Sequence, residues 1–243
     1  MKREIFAIES NEALNEKVYK MLLKGDTSEI KNSGQFVNVL IDDLYLRRPI
    51  SVCDYSKDSL TIIYKVVGKG TEKMSKMLKG DKLDVLTGLG NGYDISLSGE
   101  KPLLIGGGVG APPLYNLCKK LVEENKKVRV ILGFNNKDEV FYEKEFKELT
   151  DDVTVTTVDG SYGEKGFVTD CIEGDYSYFY TCGPEAMLKA VYNGTNTEGQ
   201  FSFEERMGCG FGACMGCSCK TITGYKRICK DGPVLQKGEI LWD

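Results

Sequence analysis

The chain has 243 residues, 41% hydrophobic and 28% charged, with a formal net charge of −4. These values describe a globular chain of one large or two small domains and exclude disordered, collagen-like and coiled-coil classes. Mild acidity argues against a nucleic-acid binder, and the lack of any His excludes His triads, His-ligated zinc and a His general base.

The first residues carry no apolar leader-like run. The longest charge-free stretch, 102–118, holds four Gly and three Pro and reads as a turn-rich loop entering a helix, so no membrane span is expected. A cytoplasmic location is the expectation. Residues 1–98 read as short strands at 4–8, 18–23, 36–41, 59–67 and 82–86, separated by Gly-bearing turns. This pattern predicts a small antiparallel barrel or sandwich. One helix is expected over 71–78. Within this domain Arg48-Pro49-Ile50-Ser51 and Gly68-Lys69-Gly70-Thr71 hold chemistry suited to a diphosphate and a heteroaromatic ring. The plainer alternative is a surface Arg pair and a β-turn.

From 99 to 200 the texture changes to strand, Gly turn, helix, repeated. Strands are expected at 103–105, 128–132, 153–158 and 178–181, and helices at 113–125, 137–149 and 185–192. This predicts a parallel α/β sheet. Right-handed crossovers would then bring Gly106–Gly110, Gly133, Asp159-Gly160 and Cys182-Gly183 to one edge, where such sheets bind ligands. The loop Gly106-Gly107-Gly108-Val109-Gly110-Ala111-Pro112-Pro113 lets backbone amides approach a pyrophosphate at a helix N-terminus; a simple tight turn is the alternative.

Residues 201–243 are Gly- and Cys-rich and too short for a conventional core. Five of the nine cysteines lie here, spaced Cys209-x4-Cys214-x2-Cys217-x11-Cys229, with Cys219 beside them. The C-x4-C-x2-C…C order is the plant-type [2Fe–2S] pattern. Zinc, which usually takes two C-x2-C arms, and free thiols stay as alternatives. Cys219 competes for a ligand role but reads more simply as a buried thiol. Cys53, Cys118 and Cys171 are expected in the core.

Taken in order, Arg48-Pro49-Ile50-Ser51, Gly68-Lys69-Gly70-Thr71, Gly106–Gly110 and Cys182-Gly183-Pro184-Glu185-Ala186-Met187 resemble the ferredoxin–NADP+ reductase-like flavoproteins. The stretch Asp159-Gly160-Ser161-Tyr162-Gly163-Glu164-Lys165-Gly166-Phe167-Val168, the run from Glu204 to Cys217, and Cys229-Lys230-Asp231-Gly232-Pro233-Val234 narrow this. They resemble the electron transfer subunits of NAD-dependent (class B) dihydroorotate dehydrogenases, over essentially the whole chain. The resemblance implies a β-barrel domain (1–98) holding FAD through Arg48, Pro49, Ile50, Ser51, Ile63, Tyr64, Lys65, Gly70 and Thr71. It implies an α/β domain (99–200) taking NAD at Gly107, Gly108, Val109, Gly110, Cys182, Gly183 and Pro184. It also implies a C-terminal segment (201–243) with Cys209, Cys214, Cys217 and Cys229 on a [2Fe–2S] cluster and Cys219 unligated. The implied partner is an FMN-bearing catalytic subunit that oxidises dihydroorotate, in a heterotetramer of two copies of each chain, within pyrimidine biosynthesis. No catalytic acid or base is required, because the cofactors carry the chemistry.

Two turns depart from the family pattern: Ser33-Gly34-Gln35-Phe36 and Thr87-Gly88-Leu89-Gly90-Asn91-Gly92. NAD is preferred over NADP because Gly133–Glu139 holds no Arg for a 2′-phosphate, while Asp138 and Glu139 would repel one. Two rival readings are a similar flavin/iron–sulfur subunit of a hydrogenase, sulfite reductase or NADH-dependent ferredoxin:NADP+ reductase, and a zinc-stapled interaction protein. In the last reductase group an Asp replaces the first cluster Cys, where this chain has Cys209.

Overall fold

Alternating apolar residues build the first domain. The structure, a computed structural model, describes residues 1–242. Its strands are β1 (Lys2–Ala13), β2 (Val18–Lys24), β3 (Phe36–Val39), β4 (Arg48–Tyr55), β5 (Ser59–Lys65) and β6 (Lys82–Leu89), with helix α1 (Lys69–Ser75) between the last two. They close into a barrel in the order β1-β2-β5-β4-β3-β6, and every pairing is antiparallel. Phe6, Ile8, Met21, Leu23, Val37, Val39, Leu60, Ile62, Tyr64, Leu83 and Val85 fill the interior. Each contributes about 1.5–3 kcal/mol of burial relative to exposure.

The second domain carries β7 (Pro102–Gly107), α2 (Pro112–Glu123), β8 (Arg129–Phe134), α3 (Glu143–Lys147), β9 (Val153–Thr157), β10 (Glu164–Lys165), β11 (Tyr178–Cys182), α4 (Glu185–Gly194) and β12 (Gly199–Ser202). After the short hairpin β13 (Ser218–Thr221) and β14 (Gly224–Arg227) comes β15 (Val234–Gln236). The sheet runs β10-β9-β8-β7-β11-β12-β15, parallel except for β15. Strand β12 spans the position expected to separate the second and third segments, and β15 returns from the Cys segment to the same sheet. The Cys segment has no core of its own. Cys217, Ile228, Cys229, Leu235 and Ile240 pack with Phe36 and Leu89 of the barrel and with Leu103, Ile105, Phe179 and Phe201 of the sheet.

Two local expectations are corrected. The helix expected over 137–149 is broken: a 3-10 turn at Lys137–Glu139 precedes α3, and Tyr142 between them is left-handed (φ 66°). Adjacent helical side chains point about 100° apart. Here both Phe141 and Tyr142 are buried, Phe141 against Phe134 and Tyr142 against Tyr115, with ring centroids 5.4 and 5.2 Å apart. Tertiary packing overrides helix propensity. In addition, Arg48–Tyr55, absent from the expected strands, is a full barrel strand.

Candidate functional site

The flavin-type motif lies along β4, with Arg48, Pro49, Ile50 and Ser51 facing Val39, Asn38, Val37 and Phe36 of β3. The neighbouring Arg47 is structural. Its guanidinium donates to Asp84 Oδ1 at 2.8 Å and to the Asp84 and Asn38 carbonyls. Desolvation pushes the Asp84 carboxyl up, but hydrogen bonds from Arg3 and Arg47 outweigh it and hold the group below its ordinary value. Arg48 instead folds over α1: a Cβ added at Gly70 would collide with its guanidinium. Arg48 and Gly70, 22 positions apart in the sequence, thus meet where the first amides of a helix lack helical partners. The Thr71 hydroxyl is engaged in the cap, accepting from the Val67 and Gly68 amides. Tyr64 turns into the barrel and donates to Asn11 Oδ1 at 2.9 Å. Ile63 points the other way, toward the α/β domain, and Lys65 lines the crevice there.

The crevice has a volume of about 680 Å³, room for a nucleotide, and Gly107–Gly110, Gly133, Thr156, Gly183, Pro184 and Glu139 are on its walls. A second lobe of about 260 Å³ shares Lys65, Gly108, Val109 and Glu139. Flavin-type strand and nucleotide loop therefore meet at Lys65. Helix α2 opens on two prolines behind Ala111, with no side-chain cap. Gly110 must be glycine, because a Cβ would overlap the Cys182 carbonyl. Asp159 and Gly160 do not line the crevice. Asp159 is bound up in a turn with Ser161, and Thr156 and Val158 take that place on the wall. Cys182 is buried behind the wall; desolvation, then the charge of Glu204, raise its thiol. Burial raises Glu204 itself at the crevice edge. Glu139 accepts from Asn135 Nδ2 at 2.7 Å, placing a carboxylate beside the end of the second strand.

The four motif cysteines fall into two pairs. The Cys209 amide donates to Cys214 Sγ at 3.5 Å, and the Cys229 amide to Cys217 Sγ at 3.4 Å. The Ala213 amide donates to Cys209 Sγ at 3.2 Å. Cys214 is exposed, whereas Cys217 and Cys229 are buried. Desolvation pushes the Cys209 thiol up, but amides of the loop outweigh it and bring the group down; burial, then its neighbour Cys217, push Cys229 up. Among the described residues no three His, Cys, Asp or Glu side chains converge on a single metal ion. A tetrahedral zinc would need four on one point; a [2Fe–2S] cluster takes two thiolates on each iron. Paired sulfurs that already accept backbone N–H groups fit the cluster. Asp231 braces the loop by gripping Arg227, which donates to the Gly212 carbonyl at 2.9 Å. Cys219 lies on β13, its thiol raised by burial.

Three asparagines tie the sites together, and nothing in the sequence pattern marks them. Asn116 of α2 donates to Asp54 Oδ1 of β4 at 2.7 Å and accepts from Ser33 Oγ at 2.6 Å. Asn91 pairs with the backbone of Val234 at both side-chain ends, at 2.7 and 3.1 Å. Asn38 reaches the Cys209 carbonyl at 3.2 Å. Both turns that depart from the family pattern thus serve as inter-domain joints.

Comparison with known proteins agrees with this geometry. The family described as the iron-sulfur cluster binding domain of dihydroorotate dehydrogenase B matches residues 204–241, and the oxidoreductase NAD-binding domain matches residues 104–193. The chain is 45% identical to the dihydroorotate dehydrogenase B (NAD(+)) electron transfer subunit of Fusobacterium nucleatum subsp. nucleatum, with 99% of each chain covered. It is 43% identical to the subunit of that name from Geobacillus sp. (strain WCH70), again over 99% of each. A solved NADH-dependent reduced ferredoxin-NADP oxidoreductase chain superposes at TM-score 0.88 with 30% identity, over 98% of this chain and 90% of that one. Phthalate dioxygenase reductase shares the fold at TM-score 0.66 and 18% identity, over 79% and 65% of the two chains. Full-length similarity to curated relatives, on a barrel, a nucleotide crevice and a paired-cysteine loop, places this chain in the family of dihydroorotate dehydrogenase B (NAD(+)) electron transfer subunits.

Proposed function

We propose that this chain moves electrons from a dihydroorotate-oxidising partner subunit to NAD+, through a [2Fe–2S] cluster and an FAD. The observation that carries this reading is the placement of the Cys segment, whose buried Cys217 and Cys229 pack against Phe36 of the barrel and Ile105 of the nucleotide-binding sheet. Bound FAD would supply hydride exchange with nicotinamide and single-electron exchange with the cluster. The chain's own residues bind and orient. Cys209, Cys214, Cys217 and Cys229 hold the cluster. Arg48 and the Gly70-Thr71 helix start hold the FAD diphosphate, with Pro49, Ile50 and Ser51 along the flavin and Ile63, Tyr64 and Lys65 beside it. The Tyr64 contact is through backbone, since its side chain faces the barrel interior. Gly107–Gly110, Gly183 and Pro184 receive NAD, and Glu139 disfavours a 2′-phosphate.

The partner carries FMN and docks over the exposed side of the Cys loop, where Phe211 and Met215 stand out at 43% and 54% exposure. The assembly holds two copies of each chain in the cytoplasm. No helix among the described residues is long and apolar enough to cross a membrane. Anaerobic purification followed by iron, sulfide and flavin analysis tests the cofactor set. The expected result is two irons, two sulfides and one FAD per chain; a colourless zinc protein contradicts it. Charge reversals beside Phe211 and Met215 should abolish co-purification with the FMN subunit, and undiminished co-purification would contradict the docking face.

A further inference from the structure

Asn38 breaks the pattern of its strand. Val37 and Val39 beside it point into the barrel, whereas Asn38 points outward and is 1% exposed. Its Nδ2 donates to the Cys209 carbonyl at 3.2 Å, across 171 positions of sequence. Its Oδ1 is buried without a hydrogen-bond partner. The adjoining Gly210 is left-handed (φ 78°), and a Cβ there would collide with Asn38 Nδ2, so the loop is seated directly on this amide. Across the sheet Asn38 faces Pro49 of β4, and its carbonyl accepts from Arg47 at 3.2 Å.

A buried carbonyl oxygen left unpaired costs stability. An apolar side chain of similar volume would avoid that cost but would give up the bond to the Cys209 carbonyl. Such local rule-breaking marks function. A cluster would not satisfy Oδ1 either, because sulfide and thiolate sulfurs only accept. The amide end of the side chain fastens the first cysteine turn to the strand beside the flavin motif.

We propose that Asn38 is a positioning residue for electron transfer between cluster and FAD, its amide clamping the Cys209–Gly210 turn to the β3–β4 wall and fixing the separation of the two cofactors. This rests on the cofactor assignment above.

The test uses the co-purified complex carrying Asn38→Leu or Asn38→Asp. NADH reduces the FAD by hydride transfer, and one of the two electrons then passes to the oxidised cluster. Flavin bleaching is followed by stopped flow, and the reduced cluster by rapid-freeze EPR. Both variants should keep iron and FAD within about two-fold of the parent, with unchanged bleaching and KM for NADH, while the cluster signal rises about 10-fold or more slowly, as expected for small misplacements. The EPR line positions should also shift. A cluster signal that rises within about two-fold of the parent rate overturns the proposal. So does loss of cluster and FAD together in both variants, which would make the residue a fold determinant. Failure of the underlying cofactor assignment is distinguishable, because the unmodified complex would then show no reduced-cluster signal at all.

Discussion

Asn116 Nδ2 lies 2.7 Å from Asp54 Oδ1, and this bond joins the helix behind the nucleotide loop to the strand that carries the flavin motif. The same asparagine accepts from Ser33 at 2.6 Å, and Lys119 adds a second, longer contact to Asp54 at 3.4 Å. Barrel and α/β domain are thereby joined behind the nucleotide loop, away from the residues that line the crevice. Replacing Asn116 with Leu leaves the Ser33 hydroxyl and one Asp54 oxygen without this partner. The expected cost is about 1–3 kcal/mol of unfolding free energy, read from the midpoint of urea denaturation. An unchanged midpoint would show that the joint is redundant.

The two consecutive arginines have separate jobs. Arg48 lies over the start of α1, whereas Arg47 is committed to Asp84 and the backbone. Arg48→Ala should weaken FAD binding about 10–100-fold, the worth of a charge-assisted hydrogen bond or two. Arg47→Ala should instead lower the melting temperature while FAD stays bound. Titration of the apoprotein with FAD, alongside thermal melts of both variants, checks this; reversed behaviour would reassign the pair.

Asp84 gives the barrel an acid-sensitive element. Arg3 and Arg47 hold its carboxyl lower in the folded protein than in the unfolded chain, despite opposing desolvation. A depressed folded pKa contributes stability above the unfolded value, near 3.9 for Asp, and that contribution fades as pH falls through the folded value. Asp84→Asn should therefore destabilise by about 1–3 kcal/mol at neutral pH. The gap to the parent should shrink as pH drops below about 4. Denaturation curves across that range test the sign. A gap that is constant with pH would assign the loss to packing.

Cys214 and Cys219 are only five positions apart in the sequence but have different surroundings. Cys214 Sγ accepts the Cys209 amide, while Cys219 sits on the β13–β14 hairpin with its thiol near the Lys220 carbonyl. Cys214→Ser should abolish most of the iron–sulfur absorption, and Cys219→Ser should retain it with two irons per chain. Iron analysis and visible spectra of the two variants decide which cysteine is the ligand.

Strand alternation, the Gly-Pro loop ahead of α2 and the spacing of four cysteines are local signals, so the barrel, the parallel sheet and the cluster motif were legible in the sequence. What was hidden depends on contacts remote in sequence. Phe141 and Tyr142 break an expected helix because both find aromatic partners elsewhere. Cys182 and Asp159 sit in suggestive motifs, yet one faces the core and the other closes its own turn. Strands β12 and β15 tie the Cys segment into the nucleotide sheet through a pairing no short-range pattern announces. Asn38, Asn91 and Asn116 are single polar residues whose meaning lies wholly in what they touch.

The most direct test of the central claim is NAD+ reduction driven by dihydroorotate. The chain would be co-expressed anaerobically with the candidate FMN subunit and the complex purified intact. The account predicts a spectrum with flavin and iron–sulfur absorption and formation of one NADH for each orotate. An intact complex with that spectrum but no dihydroorotate-dependent NADH would contradict the assigned electron donor.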